Sequence, residues 1–162
     1  MDSSLDWVVL RPQGIYGPGE PVLSSRLMTL LRQGRLPVVG TGENLTSLTH
    51  VENLARAVAL SLETPQGQRV YNVSDGAPVQ IWQWIAELAA GLGYPAPRRR
   101  LPPTGAFWLS RALEWVYASR GKEPPITHSD VGLLTRSRTL NLEAATRDLG
   151  YRPQGRGSSA QD

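Results

Sequence analysis

The segment Trp7-Val8-Val9-Leu10-Arg11-Pro12-Gln13-Gly14-Ile15-Tyr16-Gly17-Pro18-Gly19 restricts the fold more than any other part of the 162-residue chain. It reads as a short apolar strand running straight into a loop broken by Pro12, Gly14, Gly17, Pro18 and Gly19. Apolar runs of this kind are buried in parallel sheets, and ligands of open α/β sheets bind where such strands end. A strand of that type needs neighbours, yet only six residues precede this one.

Composition narrows the classes. The chain is 40 % hydrophobic and 19 % charged, the balance of a soluble globular protein long enough for one real core. It has no cysteine, which rules out a disulfide framework and a thiolate metal site, and His50 and His128 lie too far apart for a zinc pattern. No metal is expected. The net charge of +3 is almost wholly arginine, Lys122 being the only lysine. The one basic run, Arg98-Arg99-Arg100, reads as a solvated loop between prolines. A nucleic-acid footprint needs more basic residues on one face with interleaved aromatics, so no nucleic-acid partner is expected. The amino terminus lacks the basic n-region of a secretory signal, and no segment offers the roughly 18 uninterrupted apolar residues of a spanning helix. A cytoplasmic protein is the expectation.

Helices and short strands alternate along the chain. Leu23, Leu27, Leu30 and Leu31 predict a helix over 22–32, stopped by Gly34. Residues 36–39 read as a short strand, 40–44 as a turn, and 45–49 as a second extended piece. Leu54, Val58 and Leu62 predict a helix over 52–63. Residues 69–73 form a strand closed by the turn Ser74-Asp75-Gly76. Trp82, Ile85, Ala89 and Leu92 mark the inner face of a helix over 79–92. Residues 94–105 read as a Pro- and Arg-rich loop, 107–118 as an aromatic helix, and Glu123-Pro124-Pro125 as a loop. A small strand over 139–142 and a helix over 143–149, with Gly150 as its stop, complete the pattern. Three or four short strands cannot form a doubly covered parallel sheet unless more strands come from elsewhere.

Four local patterns in order carry a family resemblance. They are Leu10-Arg11-Pro12 with Ile15-Tyr16-Gly17-Pro18-Gly19; Leu48-Thr49-His50-Val51-Glu52-Asn53-Leu54-Ala55; Val70-Tyr71-Asn72-Val73-Ser74-Asp75-Gly76; and Leu149-Gly150-Tyr151-Arg152-Pro153. Together they resemble the extended short-chain dehydrogenase/reductase superfamily, that is, the NAD-dependent epimerases and dehydratases. Lys122-Glu123-Pro124-Pro125-Ile126-Thr127 and Leu133-Leu134-Thr135-Arg136-Ser137-Arg138-Thr139-Leu140 are similar to its 3β-hydroxysteroid dehydrogenase/isomerase-like branch. Sugar-nucleotide epimerases of the superfamily usually place an arginine just before the His-Val pair. Here Leu45-Thr46-Ser47-Leu48 has no cation, which favours a less charged alcohol or ketone.

The resemblance also shows what the sequence does not contain. The superfamily holds its dinucleotide on a Gly-rich turn, where glycine lets the backbone approach the pyrophosphate. No such turn occurs here, and no tyrosine has the lysine four residues on that completes the superfamily's Tyr-x-x-x-Lys pair. No catalytic residue is therefore assigned. The fold implied is α/β: the C-terminal part of a Rossmann-like doubly wound sheet with a small, mostly helical substrate-binding region. Residues 1–154 would form that portion, and 155–162 a disordered tail.

By the resemblance, Pro12, Gln13, Gly14, Ile15 and Tyr16 cover the nicotinamide end of NAD or NADP, with an ordinary strand-to-helix turn as the alternative. His50 faces a substrate cleft or caps a helix. Asn44, Thr46 and Ser47 are polar candidates for substrate contact. Glu52 and Asn53 suit the exposed N–H groups of a first helical turn. The aromatic stretch 106–118 is expected to pack against protein, with membrane-surface contact as the sharper alternative. The function implied is the substrate-binding half of an NAD(P)-dependent oxidoreductase or epimerase acting on a small molecule. Its partner would be the missing N-terminal Rossmann half or another protein, and a homo-oligomer is possible. The alternative is a non-catalytic binding module derived from such an enzyme.

Overall fold

A computed structural model of the chain describes residues 6–18, 23, 25–64 and 67–154; the tail expected over 155–162 lies outside them. In chain order the elements are β1 (Val8–Pro12), β2 (Ile15–Tyr16), α1 (Ser25–Arg32), β3 (Val38–Val39), β4 (Leu45–Thr46), β5 (Thr49–His50) and α2 (Val51–Glu63). There follow β6 (Arg69–Val73), β7 (Val79–Gln80), α3 (Ile81–Gly91), β8 (Arg100–Leu101), α4 (Pro103–Ala118), α5 (His128–Thr135) and α6 (Glu143–Leu149). The architecture is α/β. Among the described residues β1–β6, β2–β5 and β3–β8 pair in parallel, and β4–β7 antiparallel.

The chain divides into two compact units, the first from Met1–Val22, Ser47–Pro78 and Thr139–Asp162, the second from Leu23–Thr46 and Val79–Arg138. In the first, β1 and β6 lie in register with Val9 opposite Val70 and Leu10 opposite Tyr71. Side chains alternate across a strand, so the pair has two faces. On one, Tyr71 and Val73 join Ala57, Ala145, Leu149 and Tyr151 in a core against which Val8 and Leu10 pack. The other face is open: Val9 is 42 % exposed and Val70 39 %. The expectation of a buried β1 therefore holds on one face only.

Helix α2 corrects the expected stripe. Leu54 packs on the core, but Val58 is exposed and Leu62 is 82 % exposed; Asn53 and Ala57 are the buried positions. Each four-residue step overshoots a turn by about 40°, so a strict i, i+4 row rotates away from the core. Residues 139–142 form no strand, although one parallel bridge joins Thr46 to Arg138 within the second unit. Asn141 instead accepts the Glu143 N–H at 2.7 Å, opening α6, and Gly150 closes that helix in the left-handed conformation, as the sequence indicated.

The second unit packs α1 and α3 around Leu27, Leu31, Trp82, Ile85 and Ala89. Of the predicted helix over 22–32, residues 25–32 are helical, and 22 and 24 lie outside the described residues. Leu92, expected on the inner face of α3, follows the helix and is exposed. The loop expected over 94–105 contains β8 and the start of α4. Pro102 is the N-cap and Pro103 the first helical residue, a position that needs no N–H donor. Arg100, in the basic run, pairs opposite Val38 and donates from Nη1 to Thr41 O at 3.3 Å. Helix α4 buries only Ala106 and Ser110, while Trp108 and Trp115 are 71 % and 77 % exposed.

Helix α5 has no counterpart in the sequence expectation. Its start is a capping box: Thr127 Oγ1 accepts the Asp130 N–H at 3.1 Å and Asp130 Oδ2 accepts the Thr127 N–H at 2.8 Å. Such a cap contributes about 1 kcal/mol. Thr127→Ala is expected to lower stability by that amount, read from urea unfolding, and an unchanged midpoint would show that α5 is held by packing alone. Glu114 on α4 accepts the His128 N–H at 2.8 Å, and this bond, with the His128 ring next, holds its carboxyl below the ordinary range.

Candidate functional site

Pro12 ends β1, and the chain turns through Gln13 and Gly14 into β2. Thr49 clamps that turn. Its hydroxyl accepts the Gln13 N–H at 3.2 Å and lies 2.9 Å from Gln13 O and 3.0 Å from Val73 O, which share its proton. The Thr49 N–H donates to Gly14 O at 3.1 Å. Gly14 has φ +54°, and an added Cβ would stand 2.6 Å from Leu48 Cδ2. Gly17 has φ +143°, where a Cβ would stand 2.6 Å from Val51 Cγ1. Close packing inside the first unit thus accounts for both glycines.

Three of the four sequence motifs meet at one carboxylate. Asp75 Oδ2 accepts the Tyr16 hydroxyl at 2.7 Å, and Oδ1 accepts the His50 N–H at 2.8 Å and Asn53 Nδ2 at 2.7 Å. Asn53 continues to the residue after the last motif: its Oδ1 accepts the Gln154 N–H at 2.9 Å and its Nδ2 lies 3.0 Å from Gln154 O. The Tyr16 and His50 rings meet edge to face at 5.1 Å. Asp75 is the residue that sequence reasoning missed. The sequence reads it as a turn residue, and its only local signal is a carboxylate at the end of a strand.

Tyr151, from the same last motif, is fully buried and donates its hydroxyl to Ser74 O at 3.0 Å. Burial, with a smaller effect of the Asp75 carboxylate, pushes its phenol up to about 12. In the unfolded chain a tyrosine titrates near its ordinary value of about 10. The folded form keeps the proton longer, so this contribution is complete below about pH 10 and is lost as pH rises towards 12. Tyr151→Phe is expected to flatten the alkaline fall in stability, read as urea midpoints at about pH 9 and pH 11.

The polar candidates divide by unit. In the first, Ser47 is buried with its Oγ accepting the Leu140 N–H at 3.0 Å. His50 is the N-cap of α2, its Nδ1 accepting the Glu52 N–H at 3.4 Å, so the capping role weighed from sequence is the one observed. In the second unit, Thr46 lies in β4 opposite Val79. Asn44 is nine-tenths buried, and its Nδ2 has no hydrogen-bond partner among the described residues. Arg138 joins this stretch through its backbone: its N–H donates to Leu45 O at 2.7 Å and it bridges Thr46.

Strand β2 is the element that could hold one end of a dinucleotide. Strand β2 lies at the exit of a parallel strand, with β5 on one side and no strand on the other among the described residues. A carboxamide needs such a peptide edge. The sequence offers no Gly-rich turn for a pyrophosphate. Among the described residues no helix is long and apolar enough to cross a membrane.

Comparison with known proteins gives the chain relatives. Residues 2–103 match the model of the 3-beta hydroxysteroid dehydrogenase/isomerase family. A 2-alkyl-3-oxoalkanoate reductase of Stenotrophomonas maltophilia is 33 % identical over 94 % of this chain and 48 % of its own length. The human short-chain dehydrogenase/reductase family 42E member 1 is 32 % identical over 94 % of this chain and 42 % of its own. The chain thus spans under half the length of these two relatives. Among solved structures, UDP-glucuronic acid 4-epimerase of Bacillus cereus in complex with NAD superposes with a TM-score of 0.58 at 18 % identity, over 91 % of this chain and 39 % of that one. The human epimerase family protein SDR39U1 with NADPH does so with 0.56 at 20 %, over 94 % and 45 %. The fold is that of part of a Rossmann-like α/β structure.

Proposed function

Because the chain belongs to the 3-beta hydroxysteroid dehydrogenase/isomerase family, within the extended short-chain dehydrogenases/reductases, we propose that it is the substrate-binding half of an NAD(P)-dependent oxidoreductase or epimerase. The whole machine would act at a carbon bearing a hydroxyl or a ketone, with NAD(P) as hydride acceptor or donor. In this reading Gly14, Ile15 and Tyr16 close the nicotinamide end, and Pro12 and Gln13 hold that edge at the exit of β1. Asn44 offers its buried amide N–H to a substrate oxygen, with Thr46 beside it in sequence. Ser47 and His50 support the segment from within.

The uncovered face of the β1–β6 pair carries the reading. Parallel strands occur in sheets covered on both faces, and here Val9 and Val70 stand opposite each other and exposed. A half that brings further strands and helices would cover them. The test is complementation with a polypeptide carrying the Gly-rich turn and the Tyr-x-x-x-Lys pair of a relative. The chain alone is expected not to reduce a ketone with NADPH; the two together are expected to do so, and Val9→Lys to abolish assembly. Turnover by the chain alone would overturn the half-enzyme reading. Binding of a small molecule without complementation would favour the non-catalytic module.

A further inference from the structure

Helix α1 presents two faces. Leu27 and Leu31 enter the core of the second unit, while Arg26, Thr29, Leu30 and Gln33 line a cavity of about 600 Å³. Thr29 and Leu30 fall three and four residues from Arg26, the spacing of one helix face, and Gln33 follows just past the helix end. Another wall comes from α4, whose Ala106, Leu109, Leu113 and Tyr117 repeat at similar spacing and carry no charge. One wall is cationic and rich in hydrogen-bond donors; the other is apolar. The volume lies in the range of small-molecule sites.

Arg26 is already engaged by a carboxylate, loosely. Its Nη1 lies 3.6 Å from Glu123 Oε2, beyond hydrogen-bond length, and the Glu123 side chain is 84 % exposed. Exposed pairs of this kind are weak and exchangeable. Glu123 also lines the cavity, so it stands where an incoming anion would.

We propose that this cavity binds an amphiphilic carboxylate, its acyl chain laid along the α4 stripe and its carboxylate replacing Glu123 on Arg26. A neutral amphiphile would gain no charge-assisted bond and would leave Arg26 on its loose pair with Glu123. A cationic one would be repelled by it, and a small anion would leave the α4 stripe uncovered. Removing apolar surface from water supplies the driving force, and the charge-assisted bond to Arg26 supplies the selection.

Titration calorimetry of the full chain with dodecanoate, below its micelle-forming concentration, tests the proposal. Saturable binding is expected, with dodecanol about tenfold weaker and dodecyltrimethylammonium not bound. Arg26→Gln should weaken dodecanoate about tenfold and leave dodecanol unchanged. Glu123→Gln should tighten dodecanoate about threefold by removing the internal competitor. Leu109→Glu, at a half-exposed position, should abolish binding of both ligands. No saturable binding, dodecanol binding as tightly as dodecanoate, or an unchanged Arg26→Gln variant would each overturn it. So would a groove that takes a polypeptide and leaves dodecanoate in solution.

Discussion

Asp75→Ala is expected to destabilise the chain by about 3 kcal/mol, far more than a surface substitution. One carboxylate receives the Tyr16 hydroxyl, the His50 N–H and the Asn53 amide at 2.7, 2.8 and 2.7 Å. Hydrogen bonds to a charged acceptor contribute about 1.5–3 kcal/mol each, and bonds sharing a partner do not add. Alanine also leaves the amide of Asn53, a buried residue, without this acceptor. Asp75→Asn keeps one oxygen and should lose less; Tyr16→Phe should lose about 1 kcal/mol. Urea unfolding followed by circular dichroism gives the values, and a Tyr16/Asp75 double-mutant cycle isolates the coupling. An Asp75→Ala midpoint matching wild type would mean that the motifs meet there without depending on it.

The second large effect is expected at Gly17. Alanine there must adopt φ +143° and place a Cβ 2.6 Å from Val51 Cγ1 and 3.2 Å from His50 Nε2. A residue held in such a backbone region costs about 1–3 kcal/mol, and overpacking adds a similar amount. Val51 is β-branched and stiff at χ1, and it opens α2, so it has little room to yield. At Gly14 the obstacle is a terminal methyl of Leu48, which can swing aside, and φ +54° is the left-handed region. There about 2 kcal/mol is expected. Unfolding midpoints should rank wild type, Gly14→Ala, then Gly17→Ala. The reverse order would place the constraint in the turn rather than in the packing beneath it.

What could be read from the sequence was local. Residues 69–73 and 143–149 were legible because alternation and a glycine stop are properties of a few neighbours. The family was legible because its motifs are short strings. Their common purpose was not: Tyr16 and Asp75 are 59 residues apart and Asn53 and Gln154 are 101 apart. No periodicity reports pairings at that range. The same holds for Arg138, which reaches Leu45 and Thr46 only through the fold. The start of α4 is hidden in a Pro- and Arg-rich stretch that reads as a loop, although proline suits a helix's first position. Helix α5 went unseen although Thr127 and Asp130 spell a cap, because the short run His128–Thr135 is weakly patterned.

The bond between Asn53 and Gln154 also sets an order of events during synthesis. Every residue of the second unit has been made once Arg138 is joined, whereas the first is assembled from three separated stretches, the last beginning at Thr139. Until residues 149–154 leave the ribosome, Ala57, Tyr71 and Val73 have no Leu149 or Tyr151 to close over them, and Asn53 has no backbone to grip. Contacts so distant in sequence form slowly. Strand β1, made before the second unit, therefore waits to be sealed by the motif at 149–153.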